Sequence, residues 1–321
     1  MLTLIIPGSG GSKPSEVPRL SQADVGEMMQ SISNWGRWGK EDQLGTLNLI
    51  TPDKRKQAAA EVKEGVSISL SYNAITRPMF GSHPFVHRMT KTGQMRGSTG
   101  AEDIYSVQFH GFTVTHLDAL CHLFFGEKMY NGFPIDGVTD QGAQKLSVTT
   151  MKNGIFTRGV LMDFPRLFEV DYLKAGRPIY PGDLDAWEEK AGFKVESGDA
   201  IFIRTGRWQR YKVEGEWNPL EGSAGLDVSC MPWLKQRDVA VLASDLASDV
   251  LPSGVIGTDK QYLPVHLLTI VALGAPILDN CDLEPLSQET AARNRWTFLL
   301  TVAPLAVDGG SGSPVNPIAT F

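Results

Sequence analysis

Cysteine is scarce. Three residues, Cys121, Cys230 and Cys281, are odd in number and far apart, and no CxxC pair occurs. That excludes a disulfide framework and a cysteine-built zinc site, and the expectation is a reducing, cytoplasmic setting. Long apolar runs are missing too: nothing approaches the roughly 18 residues of a membrane span. The run Leu2 to Ile6 is too short for a secretory signal core and has no basic residue before it. No Lys/Arg-rich stripe occurs and the net charge is −6, which argues against nucleic acid as a partner. GxGxxG after a strand, GxxxxGK[ST], GxSxG and HExxH are all absent, so dinucleotide, P-loop, serine-elbow and zincin chemistry are disfavoured.

What is present is globular. The chain has 321 residues, 42% hydrophobic and 21% charged, enough to bury a large core without staples. Residues 7–18 are rich in Pro, Gly and Ser, so a flexible arm is expected over residues 1–20 and one catalytic domain over 21–321. Residues 20–34 read as a helix. Thr51-Pro52-Asp53 is a helix start, with an expected end near Lys63 before Gly65. "VSISLSYNA" alternates as a strand, and "IYSVQFHGFTVTHL" reads as one strand rich in β-branched and aromatic residues. "RGVLMDF", "DAIFIRTG" and "VAVLASD" read as buried strands. "LDAWEEKAGF" and "LPVHLLTIVALG" read as helices, "TFLLTVAPLAV" as a late strand and "DGGSGSPVNPIATF" as a tail. Residues 76–102, with little periodicity, are expected to be a long functional loop. The fold class is mixed α+β.

Three of the six histidines fall in "HGFTVTHLDALCH", residues 110–122. On a strand, His116, Asp118 and His122 share a face; on a helix from Leu117, Asp118 and His122 share one at i and i+4. His110 lies about 20 Å from His116 if the chain is extended, and joins only if "GFTVT" turns. Imidazole and carboxylate suit zinc, manganese or iron, and a catalytic site wants about three protein ligands and an open position. An ion there would bring the pKa of its water to roughly 7 and polarise a carbonyl. His122 could then move protons near neutrality. Cys121 sits in apolar "LCHLFF" and reads as an inert buried thiol.

At "THLDALCH" the chain resembles the putative cyclase family, with bacterial kynurenine formamidases and isatin hydrolases among its members and HxGTHxDxxxH as its motif. "GRWGKEDQLGTLNLITP", "EKMYNGFP", "SGDAIFIRTG", "LGAPILDNCDLEPL" and "GGSGSPVNPIA" extend the likeness to longer members over most of the chain. The resemblance implies a swivelling β/β/α fold with a barrel-like mixed sheet and surrounding helices, assembled as a homodimer or homotetramer. It implies a metal-dependent hydrolase of an amide, lactam or lactone, working by attack of metal-bound hydroxide or running the reverse cyclisation. By the motif, His116 and Asp118 are metal ligands and His122 the acid–base residue. The later histidine falls on His266 in "PVHLL", a second catalytic or ligand residue. Asp279 in "ILDN" stands where a glutamate is usual, serving a second metal or supporting the first. The motif's first histidine falls on Phe112 and its glycine on Val114. His110 therefore either replaces the missing ligand or binds substrate, and one zinc or manganese ion is expected rather than two.

A small-molecule substrate is expected, with Phe112, His83, His87 and Trp35 as candidate contacts. Arg204, ending a strand, could hold a substrate carboxylate but reads better as a structural strand end. The rival readings are a metal-free binding protein on the same scaffold, motivated by Phe112 and Val114, and a metal-free dehydratase or isomerase using His122 with Asp118.

Overall fold

A computed structural model of the protein describes residues 19–321; the arm expected over residues 1–20 lies outside them as far as residue 18. The core is a nine-stranded mixed sheet curled into a half-barrel, with helices around it. In spatial order its strands are Ser67–Ser69, Ile318–Thr320, Thr297–Val302, Ile155–Asp163, Ala200–Arg204, Val241–Ser244, Ile277–Asp279, His116–Asp118 and Gly312–Pro314. The four strands from Ile155–Asp163 to Ile277–Asp279 run parallel, and the outer pairings are antiparallel.

Continuous apolar sequence makes the parallel centre. "AIFIR" and "VLAS" are buried at every position, as strands covered on both faces must be. Leu242 sits in register with Ile201 on one side and Ile277 on the other. Helix Gln22–Ser31 starts at a capping box between Ser21 and Asp24. Helix Pro52–Ala59 starts as expected, with the Lys54 amide donating to Thr51 Oγ1 at 3.1 Å. It ends four residues before the expected Lys63. The C-terminus takes the chain there: the Glu64 and Gly65 amides donate to the Phe321 carbonyl, and Arg295 donates to that of Glu61.

Three other expectations are corrected. The loop of residues 76–102 contains a strand, Val86–Lys91, which pairs with Glu102–Ser106 in an exposed two-stranded ribbon. Neither face is buried, so no period-two pattern marks it. "IYSVQFHGFTVTHL" is not one strand; it breaks after Ser106 and resumes at His116. The "tail" supplies two sheet strands, Gly312–Pro314 and Ile318–Thr320. Gly312 lets its strand come close: a Cβ there would meet the Leu117 carbonyl at 2.5 Å.

The helix expected at "LPVHLLTIVALG" is present, but only Pro264–Leu267 is α-helical. Leu268–Leu273 is wound as a π-helix, and Gly274, left-handed at φ 67°, ends it. No described helix is long and apolar enough to cross a membrane.

Candidate functional site

The site forms where the parallel centre meets the antiparallel edge. His116 and Asp118 are two residues apart on one strand and so face the same way, both buried. Asp279 is the register partner of His116 on the neighbouring strand. His266 enters from the start of its helix. His122 follows a turn closed by its own amide, which donates to the Ala119 carbonyl.

His110 reaches the group because residues 111–115 are bent and tied. Asn280 Nδ2 donates to the carbonyls of Gly111 (2.6 Å) and Val114 (3.1 Å). Arg207 donates to the Phe112 carbonyl, and the Phe112 amide donates to Ser82 Oγ. The His110 ring is thereby stacked on that of His122 at 4.0 Å between centroids.

Asp118 is the centre. His110 Nδ1 and His116 Nε2 lie 2.9 and 3.4 Å from its Oδ1, and His266 Nε2 and His122 Nε2 lie 3.8 and 3.9 Å from its Oδ2. Burial alone would push this carboxyl up. His116, His122 and His110 outweigh burial and hold it well below the ordinary carboxylate range, so it is ionised. Burial pushes the His122 imidazole down to about 4 against the pull of Asp118, leaving it neutral at pH 7. Burial also opposes a charge on His266, but Asp279 and Asp249 overcome it and raise that imidazole well above its ordinary value. Burial lifts the Cys121 thiol to about 11, which makes it inert as expected.

Several atoms here lack partners. Asp118 Oδ1, His110 Nδ1 and Asp279 Oδ1 are buried without a hydrogen bond. The first two face each other at 2.9 Å yet are misaligned for one. Buried polar groups are ordinarily satisfied, so atoms left open and converging are what ligands to a common cation look like. Two donor sets fit an ion: His116, Asp118 and Asp279, and His110, Asp118 and His122, each with ligand atoms within 4.8 Å of one another. Both sets use Asp118. The outward nitrogens are fixed from behind: His116 Nδ1 donates to the Val114 carbonyl at 2.8 Å, and His110 Nε2 meets Ser311 Oγ at 2.9 Å.

These groups line a cavity of about 630 Å³, together with Phe112. Three expected substrate contacts are elsewhere. His87 pairs with Asp103 across the exposed ribbon, His83 is exposed beside it, and Trp35 is turned into the protein with its Nε1 donating to the Val271 carbonyl. Arg204 is buried in ion pairs with Asp163 and Glu284, away from the cavity. Sequence reasoning missed Asp249. It accepts the Val265 and His266 amides at 2.7 and 3.0 Å and His266 Nδ1 at 2.9 Å, so it sets both the helix start and the ring. Nothing in "ASDV" marks it. Asn280 and Arg207, which tie down residues 111–115, were missed as well.

Residues 66–249 match the family model described as "Putative cyclase", more than half of the chain. The chain belongs to the cyclase family. A crystal structure described as a novel cyclase is 30% identical to this cyclase-family chain, with a TM-score of 0.81 over 90% of it and 99% of the other. Isatin hydrolase A from Labrenzia aggregata, bound to benzyl benzoate, is 20% identical with a TM-score of 0.56, over 82% and 94% of the two chains. Isatin hydrolase A from Ralstonia solanacearum is 18% identical, again at 0.56, over 82% and 93%. These two share the fold. No curated protein matches. The family match takes in His110 to His122 but stops before His266 and Asp279, which the fold brings to the same place.

Proposed function

We propose that this cyclase-family protein is a metal-dependent hydrolase opening an amide, lactam or lactone bond of a small molecule, or closing one in reverse. The observation that carries the reading is the set of open, buried ligand atoms on Asp118, His110 and Asp279 around a cavity that also holds a neutral imidazole. The isatin hydrolases that share the fold agree with it.

His116, Asp118 and Asp279 would hold one divalent ion, zinc or manganese, as their nitrogen and oxygen donors suit. Bound there, it would supply an activated water and an electrophile for the carbonyl. The chain's own residues do the rest. His122, neutral and beside Asp118, accepts the water's proton and passes it to the leaving nitrogen or oxygen. Asp249 fixes the His266 ring so that Nε2 faces Asp279 and Asp118. His110, 2.9 Å from Asp118, would add a ligand in place of the family's missing first histidine at Phe112 or meet the substrate beside it. The arm-plus-single-domain organisation and a homodimeric or homotetrameric assembly belong to the same proposal.

A second reading, a metal-free binding protein or dehydratase, has one observation in its favour: Phe112 lines the cavity in place of a ligand. Elemental analysis separates the two. Near one zinc or manganese per chain, lost with activity in His116→Ala, supports the hydrolase. Absence of metal from wild type even after incubation with zinc or manganese refutes it.

A further inference from the structure

We propose that the cavity selects its substrate by charge: it takes a neutral or cationic molecule, whose positive or hydrogen-donating end reaches Asp259, and rejects one carrying a negative charge away from the reacting carbonyl. The inference rests on reading the cavity as the substrate site and names the class of molecule that site accepts.

Burial gives the cavity an axis. His116, Asp118, His266 and Asp279 are at most 5% exposed and form its floor. Phe124, 43% exposed, and Asp259, also exposed, stand at its rim. Between them the wall is mostly apolar, with Phe112, Leu123, Leu263 and Leu267 on it beside the imidazoles of His110 and His122. Neither lysine nor arginine is among the described lining residues. The nearby guanidiniums are committed elsewhere. Arg207 is spent on the Phe112 carbonyl, Asn280 and the Asp245 carbonyl, and Arg204 on Asp163 and Glu284. Lys260, beside Asp259 in the chain, does not line the cavity.

A divalent ion on the floor would balance Asp118 and Asp279. The His266 imidazole is spent on Asp249 and Asp279, which leaves Asp259 as the charge at the rim with no partner. It makes no ion pair among the described residues, and its Oδ1 accepts from the Gln261 amide at 2.8 Å, which holds the carboxylate in place. A carboxylate or sulfonate on the body of a substrate would leave water for a mostly apolar wall with no lysine or arginine to receive it, and would approach Asp259 as a like charge. A cation at that end meets Asp259 as an opposite charge in partly exposed surroundings.

The test uses three acetanilides, identical but for a 4-methyl, 4-aminomethyl or 4-sulfo group, titrated calorimetrically into the full protein with one equivalent of zinc. Sulfonate is chosen as a poor zinc ligand. The aminomethyl compound is expected to bind about tenfold more tightly than the sulfo compound, with the gap narrowing as salt rises. Asp259→Asn, which keeps the acceptor for the Gln261 amide, is expected to narrow the ratio to about threefold, the part that the wall alone leaves. Equal binding of the sulfo compound, an unchanged ratio in the variant, or no binding by any of the three overturns the proposal. Hydrolysis is read separately on the same compounds. Charge-selective binding without turnover counts against the hydrolase reading and leaves the selection standing; turnover without charge dependence does the reverse.

Discussion

Two buried clusters of charge flank the parallel strands, and they are built on opposite principles. At one, Arg204 donates to Asp163 and Glu284 at 2.7 Å each, Ser287 Oγ donates to the other Asp163 oxygen, and Arg166 pairs with Asp163 from outside. Asp163 is fully buried, and its carboxylate oxygens all have partners. At the other, Asp118 is just as buried, but its Oδ1 and the atoms converging on it are left open. A closed cluster spends its charges on one another and can only hold the fold. An open one keeps buried valence for something that binds. Arg204 could be suspected of a substrate role from sequence; its closure into the first cluster removes it.

Chelation is the strongest way to break this comparison. An ion that binds only the folded chain stabilises it by RT ln(1 + [L]/Kd), about 4 kcal/mol at a thousandfold excess over Kd. EDTA is therefore expected to lower the wild-type melting temperature by several degrees and abolish hydrolysis, and to leave the melting temperature of His116→Ala unmoved. Asp163→Asn opens the closed cluster instead and is expected to cost about 3–5 kcal/mol. It should melt lower yet keep the full EDTA shift, as differential scanning calorimetry would record. Loss of the shift in Asp163→Asn would erase the distinction between the clusters.

His122→Gln divides the open cluster itself. If His122 moves protons, kcat falls by about a hundredfold to ten-thousandfold while metal content by elemental analysis stays at the wild-type level. Loss of metal in this variant would make His122 a ligand with His110 and Asp118, the second donor set. Asp249→Asn has a smaller expected effect. It keeps the size of the side chain but weakens its hold on His266 Nδ1, and His266 Nε2 in turn steadies the proposed ligand Asp279, so metal affinity measured by competition with a chelator should drop by about tenfold.

The closed region was easier to read in the sequence than the open one. "AIFIR" and "VLAS" announce buried strands because every residue points into apolar surroundings. In the open region, His116 and Asp118 were legible from period two, and His266 and Asp279 from the family resemblance. The position of His110 was not. It depends on Asn280 and Arg207, which lie far along the chain and grip the backbone of residues 111–114, and backbone carbonyls leave no mark in a sequence. Asp249 was hidden for a similar reason, since two of its three bonds go to main-chain amides. The C-terminal strands were missed because "GSP" and "IAT" are too short and too small to carry a pattern. Sheet edges of that kind are defined by what they pair with.

The smallest effect expected is on acid stability, and it isolates the environment of His122. Burial lowers its pKa from the ordinary value of about 6.5 to about 4, so folding favours the neutral ring. The stability this represents is fully present above pH 6.5. It is lost as pH falls from 6.5 towards 4, because the unfolded chain takes up a proton that the folded chain refuses. Glutamine at the same place cannot titrate. In EDTA, where no ion competes, urea unfolding of wild type at pH 7 and pH 4.5 should therefore show a larger loss than the same pair of measurements on His122→Gln. The closed cluster is common to both proteins and cancels in the difference. Equal losses would mean that His122 is wetter than its place beside Asp118 implies, and would remove the neutral base on which the proposed proton transfer depends.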